Sequence, residues 1–170
     1  IKPDCIDKSS DKGKALGIES LLIDTGFSDE YIKSHVKIGD YITIKRNFHE
    51  LLNDNVTCKA VDDRSGIASM YECAKELQNV KHDADVYFVC SCQEEVGHRG
   101  AGPASYSIKP DIGIAIDVTF DGGKFGDEIR ENRLGMGPVI CVGPNIHPRL
   151  KDTIVKCAKK YDIPYQIEVE

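Results

Sequence analysis

The stretch VYFVCSCQEEVGHRGAG, residues 86–102, decides the fold class of this 170-residue chain. Its first part, residues 86–90, is a continuous apolar run, as expected of a strand that is covered on both faces in a parallel sheet. The run leads to an acidic doublet, Glu94 and Glu95, and then to a segment rich in Gly and Ala that we interpret as helical. A buried strand that ends in acid and leads into a helix indicates an α/β fold.

The same order of elements recurs on either side of this stretch. Upstream, a strand-like run over residues 56–61 stops at Asp62, and an amphipathic helical pattern follows. Downstream, the apolar run of residues 112–116 stops at Asp117. Strands that alternate with helices are typical of a sheet with parallel strands and helical crossovers.

The remaining segments complete the predicted domain organisation. Residues 138–142 predict a further strand, and Pro148 opens a helix with apolar residues on one face. We therefore predict a mixed, mainly parallel sheet with flanking helices over residues 58–170. Residues 1–57 differ, because short strands, turns and one short helix that starts at Ser28 are typical of a small β-rich domain.

Composition and charge exclude several classes of protein. With 41% hydrophobic and 29% charged residues, the chain has the balance of a soluble globular protein, and no apolar run approaches the ~20 residues of a membrane helix. A formal net charge of −6 and scattered basic residues argue against nucleic-acid binding. Seven scattered cysteines in a chain of this size indicate a reducing, cytoplasmic environment.

Both ends of the chain look cut. The first residue is not Met, no signal-peptide pattern follows it, and residues 164–170 form a strand-like run without a closing turn. We expect these residues to be a central fragment of a longer polypeptide.

Four carboxylates share one place in the pattern, the end of a predicted strand: Asp62, Glu94, Glu95 and Asp117. In open α/β sheets this edge holds the ligand site. A single acid there commonly caps a helix or lies in a solvated turn. Four together would repel one another unless cations neutralised them, which predicts a pair of divalent metal ions. Within the Glu doublet, one residue can bind metal while the other acts as a base, because neighbours at a strand end point in different directions.

The motifs at these acids resemble those of a known family. KAVDDRSG (59–66), QEEVGHRGA (93–101) and AIDVT (115–119) are similar to the three central motifs of the glutamyl and tetrahedral aminopeptidases, which are cytoplasmic dinuclear metallopeptidases. Four further segments match in family order, so that the likeness covers nearly the whole chain: IDTG (23–26), VKIGD (36–40), LGMGP (134–138) and IPYQ (163–166).

The resemblance implies a role for each acid. Asp62 would bridge two divalent ions, zinc or cobalt, and would be joined to Asp63 by a cis peptide. Glu95 and Asp117 would each bind one ion, and Glu94 would be the general base toward a metal-activated water. The substrates would be peptides that lose their N-terminal residue, and residues 1–57 would be part of an inserted domain through which subunits form a homo-oligomer.

The histidines depart from the family pattern. The family has one metal-binding His before the inserted domain and another near the C-terminus, and neither motif occurs in this sequence. We interpret His98, three residues after Glu95, as a surface or supporting residue. Cys90 and Cys92 are expected to pack in the core, since no second Cys pair with zinc-site spacing is present.

Two other functions stay open at this point. A glycosidase also uses paired carboxylates, although a chain with no Trp has little aromatic surface for stacking sugars. A non-catalytic assembly module is the other alternative, and the missing histidines favour it.

Residues 1–170 alone are expected to hydrolyse no peptide. Each metal ion would have two carboxylate ligands and lack its histidine, whereas zinc generally takes three protein ligands and a water. The purified 170 residues should lose metal readily to a chelator and leave amino-acid amides and short peptides uncleaved. A longer chain that supplies both histidines is the control and should hold metal and cleave. Robust hydrolysis by the 170 residues would contradict the ligand count.

Overall fold

The computed structural model describes residues 17, 20–125 and 128–169. The chain divides into two units, Ile1–Lys45 and Arg46–Glu170. The predicted boundary near residue 57 therefore lies inside the second unit, and the assignment of residues 1–57 to an inserted domain stays a prediction.

In the first unit, the described helix is α1 (Asp29–His35). Ser28 caps it, because its hydroxyl oxygen accepts the amide N–H of Tyr31 at 3.3 Å. Asp29 and Glu30 occupy the first turn, where the positive end of the helix dipole favours acidic side chains. The helix start predicted at Ser28 is confirmed.

The second unit alternates short strands with helices. Its described elements are β1 (His49–Glu50), β2 (Val56–Thr57), α2 (Val61–Leu77), a 3-10 turn (Glu94–Val96), α3 (Ala101–Ile108), β3 (Gly123–Phe125), β4 (Glu128–Arg130), β5 (Val139–Val142), α4 (Pro148–Lys160) and β6 (Gln166–Val169). The three predicted helices are confirmed as α2, α3 and α4. None of the helices in the described residues is long and apolar enough to span a bilayer.

Strand pairing is of both kinds. β5 and β6 are parallel, with Ile140 opposite Ile167, and α4 connects them. This strand–helix–strand unit is the one expected of an α/β fold, and it confirms that class. β1 with β2 and β3 with β4 form antiparallel pairs.

The two central strands that the sequence predicts are not paired as strands in the described residues. Residues 86–90 and 112–116 have no strand partner within the described part of the chain, so the mainly parallel sheet is present only as the β5–β6 pair. A strand is stabilised by main-chain hydrogen bonds to a neighbour, and apolar residues alone do not supply them. Both runs are also exposed, and residues 86–90 are not covered on both faces as predicted. The side chain of Phe88, in the first run, is 41% exposed, and that of Ile114, in the second, is 64% exposed.

The first residue of β6, Gln166, is hydrogen-bonded to the loop that precedes β5. The Gln166 side chain accepts the Arg133 amide N–H at 2.7 Å and donates to the carbonyl oxygens of Arg133 at 3.0 Å and Gly137 at 3.1 Å. Gly137 has φ +90°, and a Cβ at this position would collide with the carbonyl oxygen of Pro164. Glycine is therefore required where this loop crosses the backbone that leads into β6.

Gly137→Ala is expected to lower the free energy of unfolding more than Gly135→Ala. Both residues have positive φ, and the strain of an alanine there costs about 1–2 kcal/mol. A Cβ at residue 135 meets open space, whereas the collision at residue 137 adds about 1–3 kcal/mol. Urea unfolding followed by tyrosine fluorescence measures both values, and equal losses would contradict the close crossing.

Candidate active site

The first acidic pair lies in an irregular start of α2. Ala60 has a left-handed backbone with φ +59°, and Asp62 and Asp63 have φ and ψ angles outside the helical range. The peptide bond between Asp62 and Asp63 is cis, as the resemblance implied. The regular part of the helix follows Asp63.

Asp63 caps this helix. Its Oδ1 accepts the amide N–H of Gly66 at 2.8 Å and the hydroxyl of Ser65 at 3.2 Å. The bond to the residue three positions on is that of an N-cap, which satisfies one of the unpaired amides of a helix start. Gly66 is buried, and a Cβ there would press on the Asp63 carboxylate. Glycine at residue 66 thus makes room for the cap.

Asp62 has different surroundings from its neighbour. Its side chain is exposed, and none of the hydrogen bonds or ion pairs of the described residues involves it. Of the two adjacent acids, Asp63 is used by the fold, and both carboxylate oxygens of Asp62 are without a described partner.

Residues 92–100 form a closed loop around the second acidic pair. The carbonyl oxygen of Cys92 accepts the amide N–H of Gly100 at 2.9 Å, and that of Gln93 accepts the amide N–H of Arg99 at 3.2 Å. A Cβ at residue 100 would lie 2.5 Å from the Cys92 nitrogen and 2.7 Å from its oxygen. The two ends of the loop can approach this closely only because residue 100 is glycine.

Glu94 and Glu95 lie in the 3-10 turn inside this loop and have different contacts. The Oε1 atom of Glu94 lies 2.7 Å from Nδ1 of His98, and the Glu94 side chain is 40% exposed. The side chain of Glu95 is exposed and takes part in no hydrogen bond or ion pair among the described residues. The sequence pattern placed His98 near the doublet, but it did not indicate this contact.

Asp117 follows the predicted strand of residues 112–116. Its Oδ1 accepts the amide N–H of Val118 at 2.8 Å, and its Oδ2 has no partner among the described residues. Two residues on, the Thr119 hydroxyl donates to Oε2 of Glu168 in β6 at 2.8 Å. The segment after Asp117 is thereby attached to the parallel strand pair.

The donor chemistry of these acids fits divalent ions, since carboxylate oxygens are ligands for such ions. Asp62, Glu95 and Asp117 each have at least one oxygen without a described partner. Over residues 20–125 and 128–169, however, no three side chains of His, Cys, Asp or Glu are grouped so as to hold an ion. The convergence of the three acids on one site stays a prediction.

A cavity of about 190 Å³ lies beside the segment that follows Asp117. Thr119, Phe120 and Leu134 are among its lining residues. Asp121 shapes one wall, because its Oδ1 accepts the amide N–H of Leu134 at 3.0 Å. Sequence reasoning did not identify this cavity, which depends on a contact between residues thirteen positions apart.

Comparison with known proteins confirms the resemblance. Residues 1–170 match the M42 glutamyl aminopeptidase family over their full length. The chain is 39% identical to a lysyl aminopeptidase of Pyrococcus furiosus over 99% of its own length and 49% of that protein. It is also 28% identical to a glutamyl aminopeptidase of Lactococcus lactis, over 66% of this chain and 32% of the relative.

A solved structure has the same fold. A TET aminopeptidase from a marine sediment archaeon of the Thaumarchaeota superposes with a TM-score of 0.79 at 29% identity, over 99% of this chain and 50% of the other. The chain therefore spans about half the length of the relatives it matches.

Asp63→Ala is expected to lower the free energy of unfolding by about 1 kcal/mol, because it removes the cap of α2. The matched variant Asp62→Ala removes an exposed side chain without described partners and should change the free energy of unfolding by less than about 0.5 kcal/mol. Urea unfolding of both variants in chelator compares them without any contribution from bound ions. A larger loss in Asp62→Ala would show that the roles of the two acids are reversed.

Proposed function

The chain belongs to the M42 glutamyl aminopeptidase family, and from this premise we propose that it supplies catalytic residues of a metal-dependent aminopeptidase that removes N-terminal residues from peptides. One observation carries the proposal. In each acidic pair, one carboxylate has a partner in the protein, Asp63 or Glu94, while its neighbour, Asp62 or Glu95, has none among the described residues. Each pair thus has one acid in contact with the protein and one acid whose oxygens are open to a metal ion, which is what different roles for the two acids require. Family membership favours a peptidase over the glycosidase alternative.

Asp62, Glu95 and Asp117 are the proposed ligands of two divalent ions, zinc or cobalt. Each offers an oxygen without a described partner, and three such charges, once brought to one site, would need cations to offset their repulsion. When bound, the ions would polarise the peptide carbonyl and acidify a water. Asp62 would contribute to both ions, in keeping with its two unused oxygens.

Glu94 is the proposed general base. A carboxylate in this role takes a proton from the attacking water and returns it to the departing amine, so that the same residue serves both halves of the hydrolysis. The contact with His98 involves Oε1. Oε2 has no described partner and is the atom proposed to carry the proton.

The cavity near Thr119 is the proposed place for a substrate side chain. It begins two residues after Asp117, and Phe120 and Leu134 give it an apolar part. A substrate side chain held there would lie beside the segment that follows Asp117, one of the proposed ligands.

Assembly and location complete the proposal. We propose a cytoplasmic homo-oligomer with contacts through residues 1–57. Exposed apolar side chains in the first unit support such a contact, since Ile38 and Tyr41 are fully exposed in this unit. Sedimentation of the protein with Ile38→Ser would show a smaller assembly if this surface is the contact.

Glu94→Gln and Glu95→Ala are expected to separate metal binding from hydrolysis. In the complete enzyme, Glu94→Gln should retain its metal and lose at least about 100-fold in kcat, as expected for a general base. Glu95→Ala should lose both metal and hydrolysis. Metal content by mass spectrometry and kcat on peptide amides are the two measurements.

Glu76→Gln is the matched control for these two variants. Glu76 is exposed on α2 and its side chain has no described partner, so both metal content and kcat should equal those of the unmodified protein. Equal metal loss in the Glu94 and Glu95 variants would sink the proposed division of roles.

A further inference from the structure

We propose that His98 is a positioning residue for Glu94, which holds one oxygen of the carboxylate so that the other is available for proton transfer. The inference rests on the proposed function, in which Glu94 is the base. It concerns a residue to which the family resemblance assigned no role.

His98 contacts Glu94 at two points. Its amide N–H donates to the Glu94 carbonyl oxygen at 2.9 Å, and its ring Nδ1 lies 2.7 Å from Oε1 of the Glu94 carboxylate. The main chain and the side chain of Glu94 are therefore both tied to one residue. A glutamate side chain rotates about three bonds, and a contact at its far end restricts all of them.

The backbone of the loop brings the ring to this place. Gly97 has φ +110° and His98 has φ +54°, so two successive residues adopt left-handed conformations. The amides of both residues donate to the Glu94 carbonyl oxygen, at 3.0 Å and 2.9 Å. This reversal folds the chain back over the 3-10 turn and carries the side chain of residue 98 toward that of residue 94.

The chemistry of the two groups determines which of them would be the donor. An ionised carboxylate is only an acceptor of hydrogen bonds, so the proposed role requires the ring hydrogen of His98 to be on Nδ1, the atom 2.7 Å from Oε1. Neutral His98 then has its hydrogen on Nδ1 and a lone pair on Nε2. Oε1 of Glu94 is occupied by this contact, and Oε2 is left for the substrate side of the reaction.

Exposure separates a positioning role from a role in stability. The side chain of His98 is 77% exposed, and ion pairs this open to solvent contribute little to folding. The orientation of a reacting group, in contrast, has large effects on rate, because small displacements of the group slow the chemical step. Loss of His98 should therefore lower kcat without affecting stability.

The test compares His98→Gly with His98→Asn in the complete enzyme. Glycine and asparagine both adopt positive φ readily, so the loop conformation is kept. His98→Gly removes the donor and should lower kcat about 10-fold, with KM changed less than about 2-fold, in the range found when a supporting partner is lost. His98→Asn restores an N–H donor and should recover kcat to within about 3-fold of the unmodified protein.

His82→Gly is the matched control. His82 is an exposed histidine whose Nδ1 lies 2.8 Å from the main-chain oxygen of Ala84, away from any acid of the proposed site in sequence. It should leave kcat unchanged. Metal content and the urea midpoint are measured for every variant, and both should equal those of the unmodified protein.

A second measurement does not need activity. Nitrogen NMR of histidine-labelled protein, above the pH at which histidines titrate, should show the His98 ring with its hydrogen on Nδ1. Glu94→Ala should return the ring to the usual form with hydrogen on Nε2. A ring that carries its hydrogen on Nε2 in the unmodified protein would overturn the inference.

The outcomes distinguish this inference from the proposed function. Loss of hydrolysis in Glu94→Gln with unchanged kcat in His98→Gly would overturn the positioning role and leave the proposed function intact. Full hydrolysis in Glu94→Gln would overturn both. Loss of metal in His98→Gly would make His98 a ligand and would also overturn the positioning role.

Discussion

The hydrogen bond from the Gly66 amide to Asp63 determines how the first acidic pair can be used. A helix start leaves four amide groups without partners inside the helix, and the nearest carboxylate is drawn to them. Asp63 meets this demand, and the missing side chain at residue 66 gives its carboxylate the space to do so. The consequence lies one residue earlier, because Asp62 is spared that interaction and keeps both of its oxygens.

The second acidic pair reaches a similar result by different means. Glu94 and Glu95 lie in a loop whose ends approach closely at Cys92 and Gly100, so their position depends on main-chain contacts and not on a long helix. The partner of the held acid is a side chain, His98, which the reversed backbone returns to Glu94. Glu95 is left without a described partner, as Asp62 is in the first pair.

Features that depend on near neighbours in sequence could be predicted, and features that depend on distant ones could not. The cap at Ser28, the helix opened by Pro148 and the last strand follow from local rules on caps and periodicity. The pairing of residues 86–90 depends on a neighbouring strand, which no local pattern specifies. The described residues contain no such partner, so the predicted strand is not formed there. The contact between His98 and Glu94 spans only four residues, but it requires two left-handed residues whose angles the sequence suggested only through Gly97.

Asp117 differs from the two acidic pairs in how its oxygens are used. It has no acidic neighbour, and the amide of the next residue takes one of its two oxygens, so a single carboxylate is shared between the backbone and any ligand. In the first doublet, Asp63 supplies the contact that the fold requires, and Asp62 can offer both oxygens. An acid that bridges two ions needs both oxygens, whereas an acid that binds one ion needs only one. By this argument the surroundings of Asp62, and not those of Asp117, agree with the proposed role of Asp62 as the acid that would bridge two ions.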